Sequence, residues 1–101
     1  MTPPILFLLR PGFEDPAYGE GQFFCPDCLM MEGWLAVNPE AAAQLDVRRV
    51  EFPRPRTAII ELIGEERQAC PVLIISPEEV YVGADRIVCA LAEKLGTPRL
   101  H

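Results

Sequence analysis

Two cysteines with two residues between them carry the strongest chemical signal in the chain. Cys25 and Cys28 enclose Pro26 and Asp27, and an apolar run follows them. When such a pair opens a helix, the helix N-terminus stabilises a thiolate, and a second thiol lies one turn away for disulfide exchange. We therefore predict Cys25 as the nucleophile and Cys28 as the resolving thiol. The same spacing also suits half of a metal site, or two buried and inert sulfurs.

The charges expected around Cys25 oppose one another. The helix dipole favours its thiolate form, whereas neighbouring carboxylates disfavour it by like-charge repulsion. These carboxylates are Asp27 and, if the preceding loop folds over the site, Glu14, Asp15 and Glu20. The nearest candidate cation is Arg10, at the end of the first predicted strand. The sequence therefore leaves the sign of the net effect on Cys25 open.

Two further residues that could take part in cysteine chemistry are interpreted as having no chemical role. Cys89 falls off the main apolar face of the last predicted helix, and we interpret it as a packing residue. The single histidine, His101, is the last residue of the sequence. The absence of an internal histidine argues against hydrolysis by a cysteine–histidine pair.

Length and composition predict one compact domain over residues 1–101. Half of the residues are hydrophobic, so a core can form without disulfides. The formal net charge of −6 and pI near 4.7 argue against nucleic acid or an anionic membrane as partner. The first residues lack the pattern of a secretion signal, and no run has the length of a membrane span. We expect a cytoplasmic protein, where thiols are reduced at rest.

The apolar runs and the turn residues predict the order βαβαββα. The strands fall at 4–10, 46–53, 71–75 and 80–82, and the helices at 26–37, 56–64 and 84–96. Asn38 and Pro39 interrupt the first helix, and Asn38 is expected to cap a short piece over 39–45. The first and third strands are apolar without alternation, which indicates a sheet covered by helices on both faces. Residues 11–22 are predicted to form a long loop before the cysteine pair.

This element order, with the cysteine pair opening the first helix, resembles the thioredoxin-like superfamily over almost the whole chain. The motif "CPDC" resembles the CPxC of glutaredoxins, and "YVGADRI" resembles the segment that opens their last helix. In "ACPVLII", Pro71 matches the cis-proline before the third strand. The resemblance implies an α/β fold with a four-stranded mixed sheet of order 2-1-3-4. The longer motifs "LLRPGFEDP", "FFCPDC" and "FPRPR" are similar to a small bacterial thioredoxin-like family of uncharacterised function.

The resemblance also implies roles for residues outside the cysteine pair. Pro71 would face the thiols and present the backbone of a substrate. Gly83, Ala84 and Asp85 would hold the γ-glutamyl end of glutathione, a candidate co-substrate, at a helix N-terminus. The chain departs from glutaredoxins in its longer loop, in having Phe23 and Phe24 rather than a lysine before Cys25, and in its single glycine before the last helix.

Cys70 has two interpretations, because it directly precedes Pro71. We interpret it as a small apolar side chain near the pair, on the surface that binds the substrate or glutathione. The alternative is that it joins Cys25 and Cys28 in a metal site or forms a different disulfide.

Arginines and aromatic residues near the predicted site also have two interpretations. Arg54 and Arg56 are interpreted as solvated surface arginines, with recognition of a substrate carboxylate as the alternative. Phe13 and Tyr18 could cover the thiols, or only anchor the loop. The apolar first helix packs against the sheet and the loop, or else provides a dimer surface or a substrate groove.

Together these features predict a thiol–disulfide oxidoreductase that uses Cys25 and Cys28. Its partner would be a disulfide-containing protein or a small-molecule thiol, and a homodimer is an alternative state. The first competing hypothesis is a thioredoxin-fold module that binds or regulates without turnover. The second is a zinc or iron–sulfur site with cysteine ligands.

Overall fold

The computed structural model of the protein describes residues 2–101 and contains four strands and four α-helices. The strands are β1 Ile5–Leu9, β2 Asp46–Val50, β3 Val72–Ser76 and β4 Glu79–Val82. The helices are α1 Pro26–Val37, α2 Pro39–Ala42, α3 Thr57–Ile63 and α4 Ala84–Leu95, with a 3-10 turn at Pro16–Tyr18. No helix in residues 2–101 is long and apolar enough to cross a membrane.

The four strands form one mixed sheet in the order β2-β1-β3-β4. β1 pairs in parallel with β2 and antiparallel with β3, and β3 and β4 form an antiparallel hairpin. The parallel pair needs a crossover connection, which α1 and α2 supply. The structure therefore confirms the predicted α/β fold class and strand order.

The sheet is covered on both faces because its central strands send apolar side chains to each side. Leu6, Leu8 and Leu73 are fully buried with residues of α1 and α4. Their neighbours along the same strands point the other way and pack on Ile59 of α3: Phe7, Val72 and Ile74. This arrangement explains why β1 is apolar without alternation, and it confirms the predicted helices on both faces.

The start of α1 follows the sequence, whereas the junction with α2 does not. Pro26 occupies the first turn, where its missing N–H removes no helical hydrogen bond. Asn38 occupies the N-cap position of α2, as predicted, but its side chain makes no capping bond there. Its Nδ2 instead donates back to the Trp34 carbonyl oxygen at 3.0 Å and closes α1.

The loop between β1 and α1 is anchored by aromatic contacts. Phe13 and Phe23 form an antiparallel bridge, and the Phe13 ring stacks on Phe52 with centroids 4.3 Å apart. Tyr18 is 79% exposed and meets the edge of the Phe23 ring. Of the two roles weighed for these aromatic residues, the contacts favour anchoring of the loop.

Candidate thiol site

Three segments meet at the edge of the sheet where β1 ends: the start of α1, the residues before β3 and the start of α4. Cys25 Sγ lies 4.0 Å from the Cys70 carbonyl oxygen. The Gly83 N–H donates to the Pro71 carbonyl oxygen at 3.1 Å. These contacts bring the residues predicted as site residues into one region of the surface.

Cys25 is placed to carry negative charge on its sulfur. It is the N-cap of α1, and its Sγ accepts the Cys28 N–H at 3.2 Å. The sulfur therefore occupies the position in which capping oxygens stabilise the unpaired N–H groups of a helix. The residue is half-buried, in contrast to the buried Cys28.

Cys28 lies directly behind Cys25 and is 2% exposed. The Leu9 N–H donates to its Sγ at 3.4 Å. Burial, followed by the hydrogen bond with Cys25, raises the pKa of the Cys28 thiol well above its usual range, and the Leu9 N–H offsets only part of this. Cys28 is therefore a protonated and shielded thiol while Cys25 is free.

Cys70 is the third thiol of the region. The Cys70–Pro71 peptide bond is cis, as predicted from the sequence. Burial raises the pKa of the Cys70 thiol to about 11, although the nearby Arg56 charge lowers it. Among residues 2–101, no group of three or more histidine, cysteine or acidic side chains is arranged to hold a metal ion. The described residues thus give the alternative of a metal site with Cys25, Cys28 and Cys70 no support.

The two arginines of "PRPR" differ in burial. Arg54 is exposed, as predicted. The prediction of a solvated Arg56 is wrong: this residue is 7% exposed, and its guanidinium donates to backbone carbonyls. Arg56 is the N-cap residue that precedes α3 with non-helical backbone dihedrals, so the period of the helix does not position its side chain. Its burial follows instead from the carbonyl oxygens of Phe52 and Gln68, which no local sequence signal identifies.

Two other residues also differ from their sequence interpretation. Arg10, expected to be the cation nearest Cys25, extends into solvent and pairs with Glu51 at 3.3 Å. Arg56 and, to a smaller extent, Arg54 are the arginines whose charges lower the pKa of Cys70, whereas Arg10 does not contribute. Cys89, interpreted as a packing residue, is exposed on α4, because that helix buries its opposite face.

Asp27 has a contact that sequence reasoning did not anticipate. Its Oδ2 accepts the Ala84 N–H at 3.0 Å, at the first residue of α4. A carboxylate is stabilised at a helix N-terminus by the unpaired N–H groups and the dipole. The side chain between the two cysteines therefore ties α1 to α4. It also occupies one of the N–H groups assigned, by resemblance, to glutathione.

The cleft beside the thiols is small. It is lined chiefly by Leu9, Phe24, Cys25, Cys28 and Leu29, and its volume of about 10 Å³ suits about one water molecule. Phe24, at the rim of the cleft, is 53% exposed. A reacting group must therefore approach Cys25 across the surface, because the cleft cannot enclose a small molecule.

Comparison with known proteins places the chain in a family without an assigned activity. No curated protein and no solved structure shows a significant match to it. Residues 3–90 match the family described as "Protein of unknown function (DUF3088)". Because this match covers most of the sequence, the chain belongs to the DUF3088 family.

Proposed function

We propose that this protein is a thiol–disulfide oxidoreductase in which Cys25 is the nucleophile and Cys28 the resolving thiol. The observation that carries the proposal is the arrangement of these two sulfurs at the start of α1. Cys25 is half-buried and its Sγ accepts a helix N–H, while Cys28 is buried behind it. Exchange needs a nucleophilic thiol at the surface and a second thiol within reach, and the arrangement of Cys25 and Cys28 supports these two roles.

The reaction proceeds by two sulfur displacements. The Cys25 thiolate attacks one sulfur of a substrate disulfide, the S–S bond breaks, and the leaving sulfur takes up a proton as a thiol. Cys28 then loses its proton and attacks Cys25 Sγ, which forms the Cys25–Cys28 disulfide and releases the second substrate thiol. The substrate gains two electrons and the cysteine pair loses two. An external dithiol reverses the oxidation of the pair.

The raised pKa of Cys28 suits this sequence of steps. Two of its causes, the hydrogen bond and the charge interaction with Cys25, disappear when Cys25 is bound in a mixed disulfide. Before Cys25 reacts, these two causes add to the effect of burial and keep Cys28 protonated; after Cys25 has reacted, only burial and the Cys70 charge still raise the pKa of Cys28. The second thiol is thus favoured to act after the first.

The element order and strand order support a thioredoxin-like assignment. In the superfamily that the sequence resembles, a proline before the third strand faces the redox pair, and Pro71 precedes β3 beside Cys25 here. On this proposal the backbone at Cys70 and Pro71 receives an extended segment of substrate. The expected cytoplasmic compartment would keep the pair reduced at rest.

The site geometry favours a protein disulfide over glutathione as the substrate. The cleft beside the thiols has room for about one water molecule. In addition, the Ala84 N–H already binds Asp27, so an outside carboxylate would have to displace an internal one. A disulfide exposed on a protein surface meets neither obstacle, because it needs only Cys25 and the adjacent backbone.

The proposal is tested by reduction of a protein disulfide, such as that of insulin, with dithiothreitol as the electron donor. We expect turnover above the reagent alone, its loss in Cys25→Ser, and a trapped mixed disulfide in Cys28→Ser. Cys89→Ser is the matched control, since it removes an exposed thiol remote from the pair. A folded wild-type protein with no more turnover than Cys25→Ser would contradict the proposal.

A binding module is the second candidate, and exposed apolar side chains next to the thiols favour it. Phe24, Leu29 and Met30 are 53%, 48% and 38% exposed around the start of α1. Such a surface suits a protein ligand whether or not electrons are exchanged. Absence of turnover, together with retained binding of a protein by Cys25→Ser, would select this function.

A further inference from the structure

The guanidinium of Arg56 is a buried cation whose hydrogen-bond partners are neutral. Its Nε and Nη2 donate to the Phe52 carbonyl oxygen at 3.1 and 2.7 Å, and its Nη1 donates to the Gln68 carbonyl oxygen at 2.7 Å. The side chain also lies over the Phe52 ring, 5.5 Å from its centroid. Among residues 2–101, no carboxylate forms an ion pair with it.

A buried charge without a counter-ion is unfavourable, and here burial lowers the pKa of the Arg56 guanidinium. The groups that oppose this effect are the site thiols, first Cys70 and then Cys28 and Cys25. Gln68, which binds Arg56, lies two residues before Cys70 and so places the guanidinium on the side of Cys70. Within residues 2–101, the anionic groups whose charge acts on this cation are therefore thiols.

We propose that Arg56 is a positioning residue whose positive charge stabilises the thiolate form of Cys25, beside Cys70. The inference rests on the proposed function, because a reactive thiolate is what the charge would serve. The competing structural account is that Arg56 only ties the segment at Phe52 to the segment at Gln68. Both accounts use the same hydrogen bonds, but only the first requires a positive charge.

The other charged groups near the thiols do not supply the same fixed charge. Arg54 also acts on Cys70, but its side chain is exposed to screening by solvent. Asp27, on α1, is committed to the Ala84 N–H. Glu32, which borders the thiol cleft, forms a bidentate pair with Arg49 from β2. Arg56 is the buried cation of this region.

The test compares variants that separate charge from hydrogen bonding, all in a Cys89→Ser background. Arg56→Lys keeps the positive charge but loses the planar fork that binds two carbonyl oxygens. Arg56→Met removes both. Arg67→Met is the matched control, because Arg67 also donates to two carbonyl oxygens, those of Ile63 and Pro77, without acting on the thiols. The readout is the rate of Cys25 alkylation against pH, followed by peptide mass analysis.

We expect Arg56→Met to move the alkylation profile to higher pH and to slow the reaction at neutral pH by roughly threefold or more. Arg56→Lys should stay close to wild type in this profile, even if it unfolds at a lower urea concentration. Arg67→Met should leave the profile unchanged. An unchanged profile in Arg56→Met, or equal shifts in the lysine and methionine variants, would overturn the inference.

A measurement on the unsubstituted side chain covers the case in which Arg56→Met does not fold. The Nε–H resonance of Arg56 is followed by NMR while the reduced protein is titrated through the alkylation midpoint, with Cys25→Ser as the blank. We expect the resonance to move with the titration in wild type and to move less in Cys25→Ser. A resonance that stays constant in both proteins, or moves equally in both, would overturn the role of Arg56.

These results are independent of the outcome for the proposed function. Absence of insulin reduction with a charge-dependent alkylation profile would reject oxidoreductase turnover but keep the counter-charge. Normal turnover with a profile indifferent to Arg56 would reject the counter-charge alone.

Discussion

At the scale of single residues, four cysteines of one chain occupy four different environments. Cys25 is half-buried on a helix N-terminus, Cys28 is buried behind it, Cys70 is half-buried before Pro71, and Cys89 is exposed on α4. Reactivity depends on access and on the thiolate fraction rather than on residue type. The position of each thiol therefore determines what it can do.

This difference predicts an order of alkylation in the native, reduced protein. With limiting iodoacetamide at neutral pH, Cys25 and Cys89 should be labelled first. Cys28 and Cys70 should react more slowly, by roughly tenfold or more, because burial shields them and raises their pKa values. Peptide mass mapping gives the order, and labelling in urea provides the control in which all four react. Early labelling of Cys28 would contradict its placement behind Cys25.

The sequence was sufficient to predict the cysteine pair and Pro71 but not their charged neighbours. A CxxC pair and a proline before a strand are local patterns, and local patterns can be recognised without knowledge of the packing. The contact of Asp27 with Ala84 spans 57 positions, so no local pattern contains it. Arg56 was misjudged because an arginine is usually solvated, and its burial depends on carbonyl oxygens supplied by Phe52 and Gln68.

At the scale of elements, two glycines should respond in opposite directions to the same substitution. Gly33 lies on the exposed side of α1, where an added methyl group would meet only open space, so Gly33→Ala should raise the free energy of unfolding by about 0.5–1 kcal/mol. Gly83 has a φ of 93° at the start of α4, where a side chain is strained. Gly83→Ala should lower the free energy of unfolding by about 1 kcal/mol or more. Urea unfolding measures both, and equal signs would contradict the assigned backbone conformations.

The contact between α1 and α4 gives a second prediction for elements. Asp27→Ala removes the acceptor for the Ala84 N–H and should lower the free energy of unfolding by about 0.5–2 kcal/mol. Asp85→Ala is the control, because Asp85 also lies in the first turn of α4 but is exposed. A loss in the Asp85 variant as large as that in the Asp27 variant would show that the helix dipole, not the contact, is responsible.

The same substitution tests the choice of substrate. Freeing the Ala84 N–H should make the site more accessible to a small anionic disulfide. Asp27→Ala is therefore expected to gain activity toward oxidised glutathione relative to insulin, whereas Asp85→Ala should keep the wild-type ratio. An unchanged ratio in Asp27→Ala would remove Asp27 from the argument about substrate class.

The helices and strands were predictable to within a few residues because their signals are local. Pro26 begins α1, and Gly64 and Gly96 follow the ends of α3 and α4, as expected from capping preferences. The second helix begins at Pro39 as predicted but ends at Ala42 rather than at 45, and Asn38 at its N-cap position directs its side chain back to α1. One polar side chain between two helices can serve either, and sequence alone does not decide between them.

At the scale of the whole molecule, the sheet separates two hydrophobic cores. Successive side chains of β1 point alternately into one core and the other. The larger core contains Cys28 together with Met31 and Leu91, while Cys70 packs against both cores. The site thiols are therefore part of the hydrophobic interior as well as of the surface. A change in the protonation state of these thiols should therefore change the free energy of unfolding of the entire domain.

This coupling predicts that the protein loses stability in alkaline solution. The pKa of Cys70 is about 11 in the folded protein and about 8.5 for an unperturbed cysteine. Between these values the folded state binds more protons than the unfolded state, so the free energy of unfolding falls as pH rises. The contribution is complete below about pH 8.5 and lost once the pH passes about 11, with a size of about 3 kcal/mol. Cys28 acts in the same direction, because its pKa is also raised.

Urea unfolding at pH 8, 9.5 and 11 measures this loss, and substitution assigns it. Other groups titrate in the same range, so the informative quantity is the difference in slope between variants. Cys70→Ala should show a shallower fall than wild type, while Cys89→Ala, which removes an exposed thiol, should keep the wild-type slope. If Cys70→Ala instead fell as steeply as Cys89→Ala, the Cys70 thiol would titrate alike in both states. The positive charge of Arg56 would then fully offset the unfavourable effect of burial on the Cys70 thiolate.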